Sequence, residues 1–383
     1  MTGGDIQISG LPDLAVPVVQ GAGASRRVGD LAVEHGGSRA LVVTDEGVSK
    51  AGHAGVVRDH LRAAGLEAEI YLGVHQNPTV DDVHDCVEPA RAMDADLLVA
   101  VGGGSSLDTA KGCNFILTNG GRMQDYWGVD KARKPMLPFI AVPTTAGTGS
   151  ECQRFALISD PETHQKMACG DGKALARVAI LDPVLTLTQP PFVAACTGMD
   201  AMSHAVETSV TSVATEESIA LSHVAHVMLA EALPCVIADP NDLSARASVQ
   251  LGAAYAGSAI ERSMLGAAHS AANPLTAHFD LPHGQAVGLM LPHVVAFNGE
   301  DPATARKYAD LVGEPASHAV SSVTRMLFRL LETLKLQRSL GSLGVRREDV
   351  RSLAEEAATQ WTARFNPRPP AADDFERLYE SAL

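Results

Sequence analysis

"DLLVAVGGGSSLDTAKG", residues 96–112, passes from a wholly apolar run through three adjacent glycines into a helical period. An apolar, β-branched run of this length is a strand buried on both faces, and the glycines turn the chain from that strand into a helix. Gly102, Gly103 and Gly104 let the backbone come close to a ligand. The helix that follows offers free N–H groups and the positive end of its dipole, which together make a seat for pyrophosphate. Ser105 and Asp108 form an S-x-x-D pattern that predicts a helix N-cap pair.

Outward from this turn, short strands alternate with helices. "RALVVTD" (39–45) is a strand, "VVRDHLRAAGLE" (56–67) a helix, "EAEIYLG" (67–73) a strand and "VDDVHDCVEPARAM" (80–93) a helix. "PFIAVPTTAGTGSE" (138–151) is another strand that ends in a turn. Such alternation means βαβ units and a mostly parallel sheet. Beyond "ILDPVLTLTQPP" (180–191) helical periods take over, at 193–212, 216–235, 241–259, 302–312, 317–340, 347–364 and 372–382. The pattern predicts an α/β nucleotide-binding domain over 1–188 and an all-helical domain over 189–383. A cleft between the two is the expected place for a small ligand.

Composition narrows the function classes. The 383 residues are 46% hydrophobic and 20% charged, which is soluble and globular, and a net charge of −15 repels nucleic acid and anionic membranes. With aromatics at 4%, no base-stacking surface is expected. No apolar run reaches the roughly 18 residues of a membrane span, and the N-terminus lacks the basic start and apolar core of a signal peptide. The six cysteines form no CxxC pair; a reduced cytoplasmic protein with buried thiols is expected.

The second turn, "PTTAGTGSE" (143–151), places Thr144, Thr145, Thr148 and Ser150 where hydroxyls can donate to phosphate or ribose oxygens. Asp45, at the end of its strand, is placed to accept from ribose hydroxyls and to repel a 2′-phosphate, which favours NAD over NADP. In a standard dinucleotide fold that acid follows the glycine loop, whereas here it precedes it. "GAGASRR" (21–27) has a GxG without a preceding strand and is expected to open a helix instead.

The helical half contains "GMDAMSHAVE" (198–207), with Asp200 and His204 on one helix face. It also contains "GAAHSAANPLTAHFDLPHGQAVGLMLPHV" (266–294), with His269, His278, His283 and His293. Spacing alone does not decide between a metal site and ordinary histidines.

"GGGSSLDTAK", "PTTAGTGSE", "GMDAMSHAVE" and an H-x13-H pair closing on "PHG" occur here in one order. Together, from about residue 20 to the C-terminal "NPRP", they resemble the iron-containing (group III) alcohol dehydrogenase family. The resemblance implies the dehydroquinate synthase-like fold of that family. It implies a metal held by Asp200, His204, His269 and His283, and nucleotide contacts from Asp45, Asn77, Gly103, Gly104, Ser105, Asp108, Thr144, Thr145 and Lys166. It further implies NAD, reversible hydride transfer between a small alcohol and its aldehyde or ketone, and a possible homodimer. One carboxylate and three imidazoles suit Fe(II) or Zn(II). Four protein ligands plus a substrate oxygen favour Fe(II), with Zn(II) a possible substitute.

One position departs from the family pattern. Where many members carry a second histidine tied to proton transfer, this chain reads "HSAANPL", with Asn273 in its place. Water, a ribose hydroxyl or His278 is then expected to carry the proton. Rival functions are a metal- and NAD-dependent lyase of the dehydroquinate synthase type and a metal-binding protein without turnover. A third is a reductase for an anionic aldehyde recognised by Arg154.

Overall fold

The structure is a computed structural model that describes residues 11–162 and 165–383. It divides into two compact units after Gln189. The first contains β1 (Val18–Gln20), α1 (Val28–Glu34), β2 (Arg39–Val43), α2 (Glu46–Lys50), α3 (His53–Ala63), β3 (Glu67–Tyr71) and α4 (Val80–Ala92). These are followed by β4 (Leu97–Gly102), α5 (Gly104–Asn119), β5 (Gly128–Val129), β6 (Phe139–Pro143), β7 (Phe155–Asp160), β8 (Gln165–Gly170) and β9 (Val178–Leu181).

Six strands form one sheet in the order β1-β9-β6-β4-β2-β3, and every pairing in it is parallel. A smaller sheet, β5-β8-β7, pairs β7 and β8 antiparallel. Strand β4 is buried along its whole length, as its unbroken apolar run requires of a central strand with both faces covered. From β2 the chain crosses to β3 on one side and returns to β4 on the other. Segments leaving the carboxyl ends of β2 and β4 therefore part in opposite directions, the topological switch where wound sheets bind ligands.

A strand does precede "GAGASRR", since β1 ends at Gln20, which corrects the reading of a GxG without one; the segment does open a helix, a 3-10 turn at Ala24–Arg27 that leads into α1. Its N–H groups at Gly23 and Ser25 donate to the Asp182 carboxylate at 3.0 and 3.1 Å. A carboxylate of the protein itself thus fills the place a phosphate would take.

The second unit contains α6 (Pro191–Thr208), α7 (Glu216–Ala238), α8 (Leu243–Glu261), α9 (Ala267–Phe279), α10 (His283–Asn298), α11 (Pro302–Val312), α12 (Ala316–Thr333), α13 (Val350–Thr359) and α14 (Ala372–Ala382). Two of these, α9 and α10, are missing from the helical periods read in the sequence. Pro274 and Pro292 stand inside them, as Pro89 and Pro234 stand inside α4 and α7. The predicted helix 317–340 stops early, because Lys335 adopts a left-handed φ of 57°.

Helix α7 corrects the membrane expectation in part, since it is long and apolar enough to cross a bilayer by length and composition. Its Leu221, Ala225, Leu229 and Leu233 are nevertheless buried, and it packs on α6 and α8, as a core helix does. It also carries Cys235, which is exposed; the other five cysteines are buried.

Candidate active site

The second unit brings together the four residues that the motifs implied as ligands. Asp200 and His204 stand one turn apart on α6, while His269 lies in the first turn of α9 and His283 is the first residue of α10. The Nε2 atoms of His204, His269 and His283 lie 3.4, 3.7 and 3.8 Å from Asp200 Oδ1. The rings of His204 and His269 stack with centroids 4.9 Å apart. Side-chain exposure is 5–7% for Asp200, His204 and His269 and 28% for His283, so His283 forms the open side of the cluster.

These spacings fit a cation and fit direct bonding poorly. Donors about 2.1 Å from a shared ion at tetrahedral angles stand about 3.4 Å apart, whereas hydrogen-bonded N and O stand about 2.9 Å apart. Asp200 Oδ1 and His269 Nε2 are buried and have no hydrogen-bond partner among the described residues. Two orphaned buried atoms facing one point are costly unless a third charge meets them.

Glu207 completes the arrangement, although no motif singled it out. It follows Asp200 and His204 on the same face of α6, at i+7 and i+3. It is buried, and its Oε2 lies 2.5 Å from His269 Nδ1. The same carboxylate accepts from the backbone N–H groups of Gly266 (3.1 Å) and Ala268 (2.7 Å). One side chain therefore caps the start of α9 and holds the His269 ring with Nε2 toward Asp200. An acid at i+7 in "GMDAMSHAVE" was the available signal.

Asn366, the Asn of "NPRP", accepts from Ala267 N at 3.2 Å and adds a second cap to the same turn. Gly284, beside His283, is needed because a Cβ there would stand 1.9 Å from the Cys196 carbonyl oxygen. Only a glycine lets α10 start against the α6 backbone.

Charge within the cluster is mutually supporting. Burial works against the Asp200 carboxylate, but His204, His269 and His283 outweigh it and hold Asp200 well below the ordinary carboxylate range. Burial also opposes a charged His269, yet Glu207 and Asp200 raise it to about 9.

In the first unit Asp45, Gly103, Gly104, Thr144, Thr145 and Thr148 lie together at the switch point. Gly103 caps α5 without any side-chain cap, which leaves the helix start open to an anion. A Cβ on Gly103 would lie 3.3 Å from Thr145 and one on Gly104 2.8 Å from Thr148, so the two loops touch across their glycines. Thr144 N donates to Gly102 O at 2.9 Å and locks the second loop to the first. A Cβ on Gly102 would lie 3.6 Å from Asp45 Oδ2, which puts the acid after β2 beside the turn after β4. Asp45 also caps α2, accepting from Val48 N at 2.9 Å through its other oxygen. Asn77 and Lys166 meet at 3.5 Å, with Asn77 in a left-handed φ of 54°.

The structure corrects the readings of Ser105, Asp108 and His278 and shows what Asn273 and Arg154 contact. Ser105 and Asp108 are no N-cap pair, because the cap residue is Gly103. Asp108 instead turns into the core, where it accepts from Ser150 Oγ (2.6 Å) and Leu157 N (3.2 Å), so both carboxylate oxygens are taken by the protein. His278 is displaced from the cation site. Nine residues beyond His269, it falls on the opposite face of α9 about 13 Å along the axis, and it pairs with Glu356 at 2.6 Å in an exposed position. Asn273 lies one turn from His269 on the same face but donates to Gln360 Oε1 at 3.0 Å; an amide there orients neighbours and carries no proton. Arg154 stands 3.8 Å from the Asp130 carboxylate, so its charge already has a counterpart.

A wound α/β unit with an uncapped helix start at its switch point, joined in one chain to a helical unit in which Asp200, His269 and His283 could hold a metal ion, fits a metal-dependent, nucleotide-using enzyme. Comparison with known proteins agrees. The family model for iron-containing alcohol dehydrogenase matches residues 16–183, and the model for the C-terminal part of the same family matches residues 194–383. The NAD-dependent methanol dehydrogenase of Bacillus methanolicus is 34% identical, covering 95% of this chain and 97% of that protein. The 1,3-propanediol dehydrogenase of Klebsiella pneumoniae is 33% identical over 97% of this chain and 98% of its own length. Among solved structures, an alcohol dehydrogenase from Oenococcus oeni superposes with a TM-score of 0.92 at 30% identity, covering 97% of this chain and 99% of that one. The chain belongs to the iron-containing alcohol dehydrogenase family.

Proposed function

We propose that this protein is an NAD- and metal-dependent oxidoreductase that interconverts a small alcohol and its aldehyde or ketone. The observation that carries the proposal is the convergence of three imidazole nitrogens on one oxygen of Asp200 at 3.4–3.8 Å. Asp200, His204, His269 and His283 would hold the cation, which supplies Lewis acidity toward the alcohol or carbonyl oxygen, while a bound nicotinamide supplies the hydride chemistry.

The chain's own residues do the positioning. Glu207 keeps His269 in one tautomer and one orientation, a role that outer carboxylates commonly play around metals. The partly exposed side at His283 leaves room for a substrate oxygen. At the switch point, the α5 N-terminus and the threonines of the second loop supply donors for a pyrophosphate. Asp45 Oδ2 is placed for a ribose hydroxyl and against a 2′-phosphate, which favours NAD. With Asn273 committed to Gln360, the proton leaves through water or a ribose hydroxyl.

Fe(II) is favoured over Zn(II) because four protein ligands plus a substrate oxygen exceed the usual zinc number. The pairing of Arg154 with Asp130 supports an uncharged substrate over an anionic aldehyde. All six cysteines are free thiols, which supports a reducing, cytoplasmic location. The test is anaerobic reconstitution of metal-free protein with Fe(II) or Zn(II), followed by NADH absorbance across short alcohols, neutral and charged. Steady NADH formation with Fe(II) is expected. Equal turnover in the metal-free protein, or bound NAD and metal with no NADH from any alcohol, would overturn the proposal.

A further inference from the structure

Lys111 is a charged side chain at 1% exposure inside α5, and nothing in the proposed chemistry uses it. Its ammonium donates to Ser150 O (2.6 Å), Ser150 Oγ (2.7 Å) and Phe155 O (2.9 Å), which matches three donors with three acceptors. Its counter-charge is Asp108, 3.8 Å away. The Ser150 hydroxyl, accepting from Lys111, donates its own proton to Asp108 at 2.6 Å. Every group in this buried network is therefore satisfied.

A charge is expensive to bury, and an apolar side chain of similar volume would fill the same space without that cost. What the ammonium does that an apolar side chain cannot is hold main-chain carbonyls at both ends of residues 150–155. That segment begins where the second glycine loop ends. Lys111 itself lies two turns along the helix whose first residue is Gly104, so its ammonium ties that helix to the end of the second loop.

The clearances explain why this matters. With Thr145 and Thr148 already in contact range of Gly103 and Gly104, a shift of a few tenths of an ångström in the second loop alters the phosphate seat. Thr144 fixes the near end of that loop to Gly102, and Lys111 fixes the far end. We infer that Lys111 is a positioning residue for the dinucleotide, clamping the second loop onto the helix that carries the first. The inference rests on the NAD-binding reading above.

Replacing Lys111 alone leaves Asp108 buried without its counter-charge and endangers folding, so the decisive variant is the double change D108N/K111M. This variant should unfold cooperatively and load Fe(II) to the wild-type level, because the cation ligands lie in the other unit. Its Kd for NADH, read by nicotinamide fluorescence, should rise about tenfold to a hundredfold, as expected for lost charge-assisted hydrogen bonds. KM for NAD should rise more than kcat falls. Hydrogen exchange of the amides at 150–155 should quicken in the absence of any ligand. A folded double variant with wild-type NADH affinity, or with unchanged exchange at 150–155, would overturn the inference. If the unaltered protein itself bound no NADH, the proposed function would fail, and the exchange measurement would still decide whether Lys111 holds the loop.

Discussion

The two proposed sites of this chain are built from different materials. The nucleotide seat uses mostly backbone: glycine turns, an uncapped helix start and hydroxyls at the ends of neighbouring strands. The cation site uses side chains on three helices, each aimed by a cap or a close helix contact. A backbone seat is set by a few adjacent residues and tolerates side-chain change wherever no Cβ intrudes. A side-chain site fails with the loss of one atom, and its geometry depends on residues that never touch the ligand, such as Glu207, Asn366 and Gly284.

This contrast orders the effects expected of mutation. The largest should come from Asp200→Ala, which removes the oxygen on which three imidazoles converge. Metal retention and turnover should both fall below detection while NADH binding survives. Normal metal content in this variant would refute the ligand assignment.

Glu207→Gln should come next. The single amide oxygen can still accept from one N–H of the α9 start, but the NH2 replaces the other acceptor and no charged acceptor remains for His269 Nδ1. Loss of such a partner lowers metal affinity about 10- to 100-fold, measurable by competition with a chelator. An unchanged metal dissociation constant would reduce Glu207 to a helix cap.

The smallest effect belongs to the backbone-built side. Because Asp45 caps α2 through Oδ1 as well as facing Gly102 through Oδ2, Asp45→Asn can preserve the cap while it removes the charge and replaces the second acceptor with a donor. The preference for NAD over NADP should narrow by about tenfold, the worth of roughly 1.4 kcal/mol. An unaltered ratio of kcat/KM values would assign Asp45 to the helix cap alone.

Legibility in the sequence follows the same contrast. Strand β4, its glycine turn and the wound sheet could be read directly, because buried strands and glycine turns are local patterns. The cation ligands could be read only in pieces. Asp200 with His204 is a local pair, but His269 lies 65 positions beyond His204, and periodicity cannot show that α6, α9 and α10 meet. The resemblance to a family supplied the missing link. Of the three proton carriers considered in place of the family histidine, His278 is set aside by its position on the far face of α9 and its pairing with Glu356, which leaves water and a ribose hydroxyl. Asp108 shows a related failure: its position in a glycine-loop motif suggested a ligand contact or a cap, and burial instead commits it to Lys111 and Ser150.

X-ray absorption at the iron edge of the Fe(II)-loaded protein tests the central claim most directly. Three imidazole nitrogens and one carboxylate oxygen are predicted, with one imidazole lost from the scattering pattern in His269→Ala. A sulfur ligand, or a pattern unaffected by that substitution, would contradict the account.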